Sequence, residues 1–288
     1  MTVAASALAG KRIVVTGASG GIGAAIARHL DGLGVRLLLI ARTPGPLEAV
    51  MATLPRGPHQ TIPLDVTDEE AWAAAAPVLA AAGPIDGLVT AAGILGPVGL
   101  PGDWQLSAFR RTIEVNLIGT LLSILNLLES LRATRGAVVA FSGGGATSPL
   151  PRYDAYAASK VAVVRLAENM AEELAPDGVR VNCVAPGFVA TAMHGGTLDA
   201  GPDLAGADYY LRTRRNLDHG GDPPELAAEL TGFLLSDEAE GITGRLISAR
   251  WDPWKQTEFR TRLRSDPSLG RLRRVDDQFF RAVSLSPG

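Results

Sequence analysis

Tyr156 and Lys160 stand four residues apart in Tyr156-Ala-Ala-Ser-Lys160. On a helix that spacing stacks both side chains on one face. An ammonium beside a phenol favours the phenolate, so the pair is expected to lower the tyrosine pKa from its usual ~10. A phenol tuned in this way exchanges a proton near neutral pH and serves as a general acid and base. Tyr-x-x-x-Lys is short, and an ordinary helical pair satisfies it equally. The composition adds weight to the chemical reading. Of 27 basic residues only Lys11, Lys160 and Lys255 are lysine. Where arginine is the default cation, a lysine here points to a need for a compact point charge rather than a planar fork. Tyr153 is a competing phenol, but its i+4 neighbour is Ala157.

The second chemical signal is Thr16-Gly-Ala-Ser-Gly-Gly-Ile-Gly23. A β-branched apolar run over residues 12–16 predicts a strand before it, and an alanine-rich run over 24–33 predicts a helix after it. Strand, glycine loop and helix form the context of a dinucleotide-binding fingerprint. Glycines let the backbone approach a pyrophosphate, and the helix N-terminus offers free N–H groups. The candidate cofactor-binding residues are therefore Gly17, Ser19, Gly21, Ile22 and Gly23.

The spacing Gly-x-x-x-Gly-x-Gly, together with Tyr156 and Lys160, resembles the short-chain dehydrogenase/reductase family in its single-domain branch. The resemblance covers about residues 10–250 and rests on six motifs in order. It implies an NADP-binding preference, with NAD as the alternative. The strand expected over 36–40 is followed by Ala41 and Arg42, where an acid would hold the ribose diol of NAD and an arginine can pair with a 2′-phosphate. A solvated surface arginine is the plainer alternative. Asp65 and Val66 match the pair that caps the adenine ring, although Asp65 reads equally as a turn or capping residue before the next helix. Thr90-Ala-Ala-Gly93 departs from the family pattern at Thr90 and keeps the small residues Ala92 and Gly93. Pro186, Gly187, Val189 and Thr191 match the segment that holds the nicotinamide carboxamide.

By the same resemblance Asn116, in Asn-x-x-Gly, is expected to hold a water in a proton relay, and Lys160 to bond the nicotinamide ribose as well as tune Tyr156. The family's catalytic serine lies thirteen residues before the tyrosine, where this chain has Gly143. Ser142, one residue early in Ser142-Gly-Gly-Gly-Ala146, is expected to swing into that role, with Ser148 a weaker substitute. The reaction implied is hydride transfer between NADP(H) and a secondary alcohol or ketone on a small, polar or sugar-like molecule. A cofactor-retaining epimerase or dehydratase and a non-catalytic NADP-binding protein are the alternatives.

These residues need a scaffold. Further strands are expected over 61–64, 85–89, 136–141, 179–184 and 244–249. Helices are expected over 44–54, 71–82 and 106–131, from Tyr156 to about 175, and over 223–236. Seven strands alternating with helices imply an α/β, doubly wound parallel sheet of Rossmann type. Residues 1–250 would form that single domain, including a substrate lid over about 192–222, a polar, glycine-rich stretch with no clear period. The lid holds His194, Tyr209, Tyr210, Arg212, Arg214 and Arg215; its cations suit a polar or anionic substrate or a solvated face. Residues 251–288 form a C-terminal extension with seven arginines, Trp251, Trp254 and Phe279-Phe280. It is expected either to pack on its own domain or to cross to a partner or the lid.

The chain has 288 residues, 47% hydrophobic, and a net charge of -3. That suits one full core and gives no general affinity for nucleic acid. The apolar run over 117–128 is too short and too polar to span a bilayer, so no membrane role is expected. Cys183 is the only cysteine, which excludes an internal disulfide and fits a reducing, cytoplasmic setting. No metal site is expected. A homodimer or homotetramer is expected by resemblance.

Overall fold

Seven strands alternate with helices along the chain. In order these are β1 Arg12–Thr16, α1 Gly21–Gly32, β2 Arg36–Ala41, α2 Pro44–Met51, β3 Gln60–Pro63, α3 Glu69–Ala81, β4 Gly87–Thr90, α4 Leu106–Ile113, α5 Gly119–Thr134, β5 Ala137–Phe141, α6 Asp154–Glu173, β6 Arg180–Ala185, α7 Gly195–Ala205, α8 Ala207–Asp218, α9 Pro224–Leu235, β7 Leu246–Ser248 and α10 Thr257–Ser265. This computed structural model describes residues 7–274; the Phe279-Phe280 pair lies outside the described residues. The strands form one parallel sheet in the order β3-β2-β1-β4-β5-β6-β7. Helices cover both faces, so the strands are apolar on both. Ile13, Val15, Leu37 and Leu39 enter one core with Ile26 and Leu30 of α1 and Phe233 of α9. Val14, Leu38 and Ile40 enter the other with Trp72, Leu127 and Val163. The doubly wound fold expected from the strand–helix alternation is the fold observed.

Strand order reverses between β1 and β4, whose C-terminal residues Thr16 and Thr90 lie side by side. In open α/β sheets the crevice beyond such a reversal is the binding site. Every motif singled out in the sequence follows the C-terminal end of a strand or lies in a helix facing it.

Two expectations about helices need correction. The run expected as a continuous helix over 106–131 is interrupted: one π-helical turn, Glu114–Ile118, separates α4 from α5. Gly119 lies so close to Val66 that a Cβ there would sit 2.6 Å from Val66 Cγ2, and Asn116 is fully buried. The extra residue in the turn satisfies both demands, as π-bulges at functional sites commonly do. Leu106–Thr134 is long and apolar enough to cross a bilayer by length and composition. Here Ile124, Leu127 and Leu131 pack into the core beneath the sheet. The lid is also helical, as α7 and α8, with a kink at Gly201 (φ 75°) just before Pro202.

The described part of the extension packs on its own domain. Trp254 donates to Ala249 O at 3.1 Å and stacks on Phe233, while the Arg260 guanidinium lies 4.1 Å from the Phe233 ring centroid. Further on, Leu272 N donates to Glu168 on α6 at 2.6 Å, and Arg165 donates to Leu272 O at 2.6 Å. At the outer edge of β7, Leu246 N donates to Gly270 O at 2.7 Å and Arg245 donates to Leu269 O at 2.9 Å.

Candidate active site

A cavity of about 860 Å³ opens at the strand-order reversal, and every residue expected to bind cofactor borders it. The glycine loop builds one side from bare backbone. Gly17 has φ 67°, and a Cβ there would sit 2.6 Å from Ala92 N. A Cβ on Gly23 would collide with Gly17 O. No side chain caps the first turn of α1, so its N–H groups remain free for an anion. Gly17, Ser19, Gly21, Ile22 and Gly23 all border the cavity, and Gly21 faces Thr191 across it. This backbone cradle, with a helix N-terminus beside it, fits a dinucleotide diphosphate.

Arg42 follows directly on β2, is exposed, and borders the cavity. Asp65 and Val66 also border it. Asp65 closes a turn by accepting from Thr67 N at 3.0 Å and Thr67 Oγ1 at 2.8 Å, and it pairs with Arg111 at 2.8 Å. Burial would raise its pKa; the bonds from Thr67 and Arg111 outweigh that and hold the carboxyl below its usual range. The helix cap of α3 is instead Asp68, which accepts from Ala71 N at 2.9 Å. Ala92 and Gly93 line the passage between β4 and α6, and Pro186, Gly187, Val189 and Thr191 line the passage beyond β6. Gly187 has φ 86°, and a Cβ there would strike Asp222 Oδ2, which accepts from Phe188 N at 2.7 Å.

Tyr156 and Lys160 sit one turn apart on α6 and both border the cavity. Their electrostatics differ from the expectation. The Tyr156 ring reaches the cavity but is otherwise enclosed, and burial pushes its hydroxyl up to about 12, with the Tyr209 phenol adding to the rise. Lys160 Nζ lies 5.7 Å from the Tyr156 ring centroid and donates to Phe141 O at 2.9 Å. Burial pushes Lys160 down to about 8. In this state burial sets the direction for the tyrosine: Lys160 is itself desolvated, and one of its three N–H groups is held by Phe141 O.

Asn116 does not border the cavity. Its Oδ1 accepts from Ile94 N at 2.8 Å, and its Nδ2 donates to Ile94 O and Ser159 Oγ, each at 2.9 Å. In place of the expected water-holding side chain, the amide ties the loop after β4 to α6. It thereby fixes Gly93 close to Lys160 Nζ, 3.6 Å from where a Cβ would stand.

Ser142 borders the cavity with Tyr156, but no hydrogen bond joins the two among the described residues. The serine N–H donates to Val184 O at 2.9 Å, which continues the β5–β6 ladder, and its Oγ is buried without a hydrogen-bond partner among the described residues. The pleat sends successive residues to opposite faces. Gly143 is the residue that faces the tyrosine, and a Cβ there would collide with the Tyr156 hydroxyl. The rejected Tyr153 is fully buried and donates to Thr197 Oγ1 at 3.1 Å.

The sequence reading missed Leu95, Leu150 and Met193, which pack with Tyr156 and Tyr209 in a small apolar cluster. It also missed Thr213 and Asn216, which border the cavity from α8. No local motif marks them; only the i, i+3, i+4, i+7 spacing from Tyr209 does.

A parallel sheet with a backbone-built nucleotide cradle, opposite a helix carrying an enclosed phenol and ammonium, defines a nucleotide-linked oxidoreductase. The model of the short chain dehydrogenase family matches residues 11–200. The chain belongs to that family, whose members interconvert alcohol and carbonyl groups. It is 33% identical over 250 residues to 2,5-dichloro-2,5-cyclohexadiene-1,4-diol dehydrogenase of Sphingobium indicum, covering 85% of this chain and 97% of that protein. It is 40% identical over 188 residues to an inactive 2-(S)-hydroxypropyl-CoM dehydrogenase 2 of Xanthobacter autotrophicus, covering 62% of this chain and 78% of that one. Among solved structures, a putative NAD(P)-dependent gluconate 5-dehydrogenase from Beutenbergia cavernae, with bound NADP at low occupancy, superposes with a TM-score of 0.72 at 30% identity, covering 84% of this chain and 96% of that one.

Proposed function

We infer that this chain transfers hydride between NADP(H) and a secondary alcohol or ketone on a small molecule. The observation that carries the cofactor choice is Arg42. It borders the cavity just past β2, where Ala41 replaces the acid that would favour NAD, and no carboxylate pairs with it among the described residues. A guanidinium there suits a 2′-phosphate. The NADP described in the Beutenbergia cavernae structure supports the same choice. The diol named for the Sphingobium indicum relative supports a ring-borne secondary alcohol as substrate.

When bound, the nicotinamide supplies the carbon that gives or takes hydride. The glycine loop and the α1 N-terminus would hold the diphosphate and Arg42 the 2′-phosphate, with Asp65 and Val66 at the adenine and Val189 and Thr191 at the carboxamide. Tyr156 is protonated at neutral pH, so in reduction it gives its proton to the carbonyl oxygen. The missing side chain at Gly143 leaves room beside its hydroxyl for that oxygen. Lys160 places a cation behind the phenol, and Asn116 holds the loop that positions Gly93 against it.

The test is titration with NADPH and with NADH, followed by nucleotide fluorescence, in wild type and Arg42→Ala. NADPH binding is expected to weaken about ten- to a hundredfold in the variant, with NADH binding unchanged. NADH preference indifferent to Arg42 would sink the NADP assignment, and binding of neither would sink the enzyme reading. Gly143 in the serine position, and the inactive relative, favour one second reading: an NADP-binding protein without turnover. A Tyr156→Phe variant unchanged in every activity would select it.

A further inference from the structure

Helix α8 presents one stripe to the cavity: Tyr209, Arg212, Thr213 and Asn216, at i, i+3, i+4 and i+7. Of these Thr213 is buried, Tyr209 and Asn216 are half-buried, and Arg212 is exposed at the cavity's rim; a helix stripe facing a core is ordinarily apolar. Here each residue on it carries a hydrogen-bonding group, and one carries a charge. Arg214 and Arg215, on the same helix, do not border the cavity.

The stripe stands at the reacting end. Tyr209 shares an apolar cluster with Tyr156, Leu150 and Met193. The Arg212 guanidinium lies 4.9 Å from the Tyr209 ring centroid. A guanidinium held over a ring face by the ring quadrupole keeps N–H groups free to meet another group.

The charges around the cavity are unbalanced. Among the described residues its only carboxylate is Asp65, already paired with Arg111. Its cations are Arg42, Lys160 and Arg212. Arg42 sits at the end of β2, and Lys160 donates to Phe141 O. Arg250, near the mouth, is paired with Asp222. Among the described residues Arg212 is thus the one guanidinium at the reacting end, and no carboxylate among them pairs with it. His194 stacks on Phe188 at 4.0 Å, and burial lowers its pKa, so it adds no fixed charge at neutral pH.

We propose that the substrate carries a carboxylate as well as its reacting hydroxyl or carbonyl, and that Arg212 binds that carboxylate. The proposal rests on the alcohol/ketone reading of the cavity and narrows it to hydroxy or oxo acids. A planar guanidinium fork matches a carboxylate bidentately. Arg212 is then a specificity-determining residue: it selects the substrate and takes no part in proton transfer.

The test compares 4-hydroxycyclohexanecarboxylate with 4-hydroxycyclohexanecarboxamide under NADP, as a ratio of kcat/KM. The acid is expected to be favoured about ten- to a hundredfold, mostly through KM. The ratio falls toward one in Arg212→Gln, is intermediate in Arg212→Lys, and is kept in Arg214→Gln. Recovery in the lysine variant separates charge recognition from loss of the Tyr209 stack. A parallel calorimetric titration measures cyclohexanecarboxylate against cyclohexanecarboxamide on the NADP-loaded chain. Equal binding of the two, no binding of the carboxylate, or a preference that survives Arg212→Gln overturns the proposal. A chain that selects the carboxylate through Arg212 yet turns over no alcohol leaves the proposal standing and overturns the oxidoreductase reading instead.

Discussion

The two ends of the cavity are built from different material. The end between β1 and β4 is backbone: glycines without room for a Cβ, an uncapped helix start, and small residues at the ends of strands. The end under α8 is side chain: Tyr209, Arg212, Thr213 and Asn216 on a helix whose backbone is spent on itself. On the function proposed above, the backbone end would hold the diphosphate and the side-chain end would select the substrate. The contrast predicts that one end tolerates no added atom, whereas the other tolerates additions and loses selectivity when a head group is changed.

The largest expected effect falls between the two ends, at the phenol. Tyr156→Phe removes the proton donor while keeping the ring, so kcat is expected to fall about a thousandfold with NADPH affinity within about threefold of wild type. A parallel loss of affinity would mean that the phenol belongs to the nucleotide end. Next comes Gly17→Ala. Its φ of 67° and its approach to Ala92 leave no room for a methyl group, so about 3 kcal/mol of stability and measurable NADPH binding are expected to go together in urea denaturation and titration. Full NADPH affinity in that variant would break the contrast.

Lys160 gives an effect of intermediate size. An unfolded lysine keeps its proton to about 10.4, while the folded one releases it near about 8. Between those values the unfolded chain binds more protons, so stability rises with pH. Tyr156, pushed up to about 12, acts in the opposite sense only above its ordinary value near 10. From pH 8 to 10 wild type should therefore gain about 2 kcal/mol relative to Lys160→Met, read from urea midpoints. A difference that stays flat would show that the ammonium is better solvated than its burial implies. The smallest effect is Gly201→Ala. Its φ of 75° resembles that of Gly17, but nothing lies within 4 Å of the added carbon. Only left-handed strain remains, about 1 kcal/mol, with NADPH binding kept.

The same division explains what could be read in the sequence. The strands, the strand–glycine–helix unit and the Tyr–Lys pair are local patterns, and local spacing reveals them. The lid helices were hidden because α7 is broken by Gly201-Pro202 and the inward face of α8 is polar, so neither shows an apolar period. The π turn at Asn116 was hidden because its cause is a tertiary contact between Gly119 and Val66. Ser142 was misplaced because sequence offset does not report which face of the pleat a residue takes, and the ladder bond to Val184 decides it. The direction of the tyrosine shift was misjudged because a four-residue spacing places the ammonium nearby without showing how deeply the phenol is buried.

Parallel sheets normally end in strands with unpaired donors and acceptors, which invite another chain to add on. At β7 that invitation is withdrawn. The segment around Gly270 accepts from Leu246 N, and Leu269 O is pinned by Arg245. Copies of this chain that met along β7 would first have to peel away their own residues 269–272. Doing so would also free Leu272 from Glu168 on the helix that carries Tyr156 and Lys160. Growth of the sheet into a shared, two-chain sheet at that edge would therefore also detach the helix that carries Tyr156 and Lys160 from the extension in both copies.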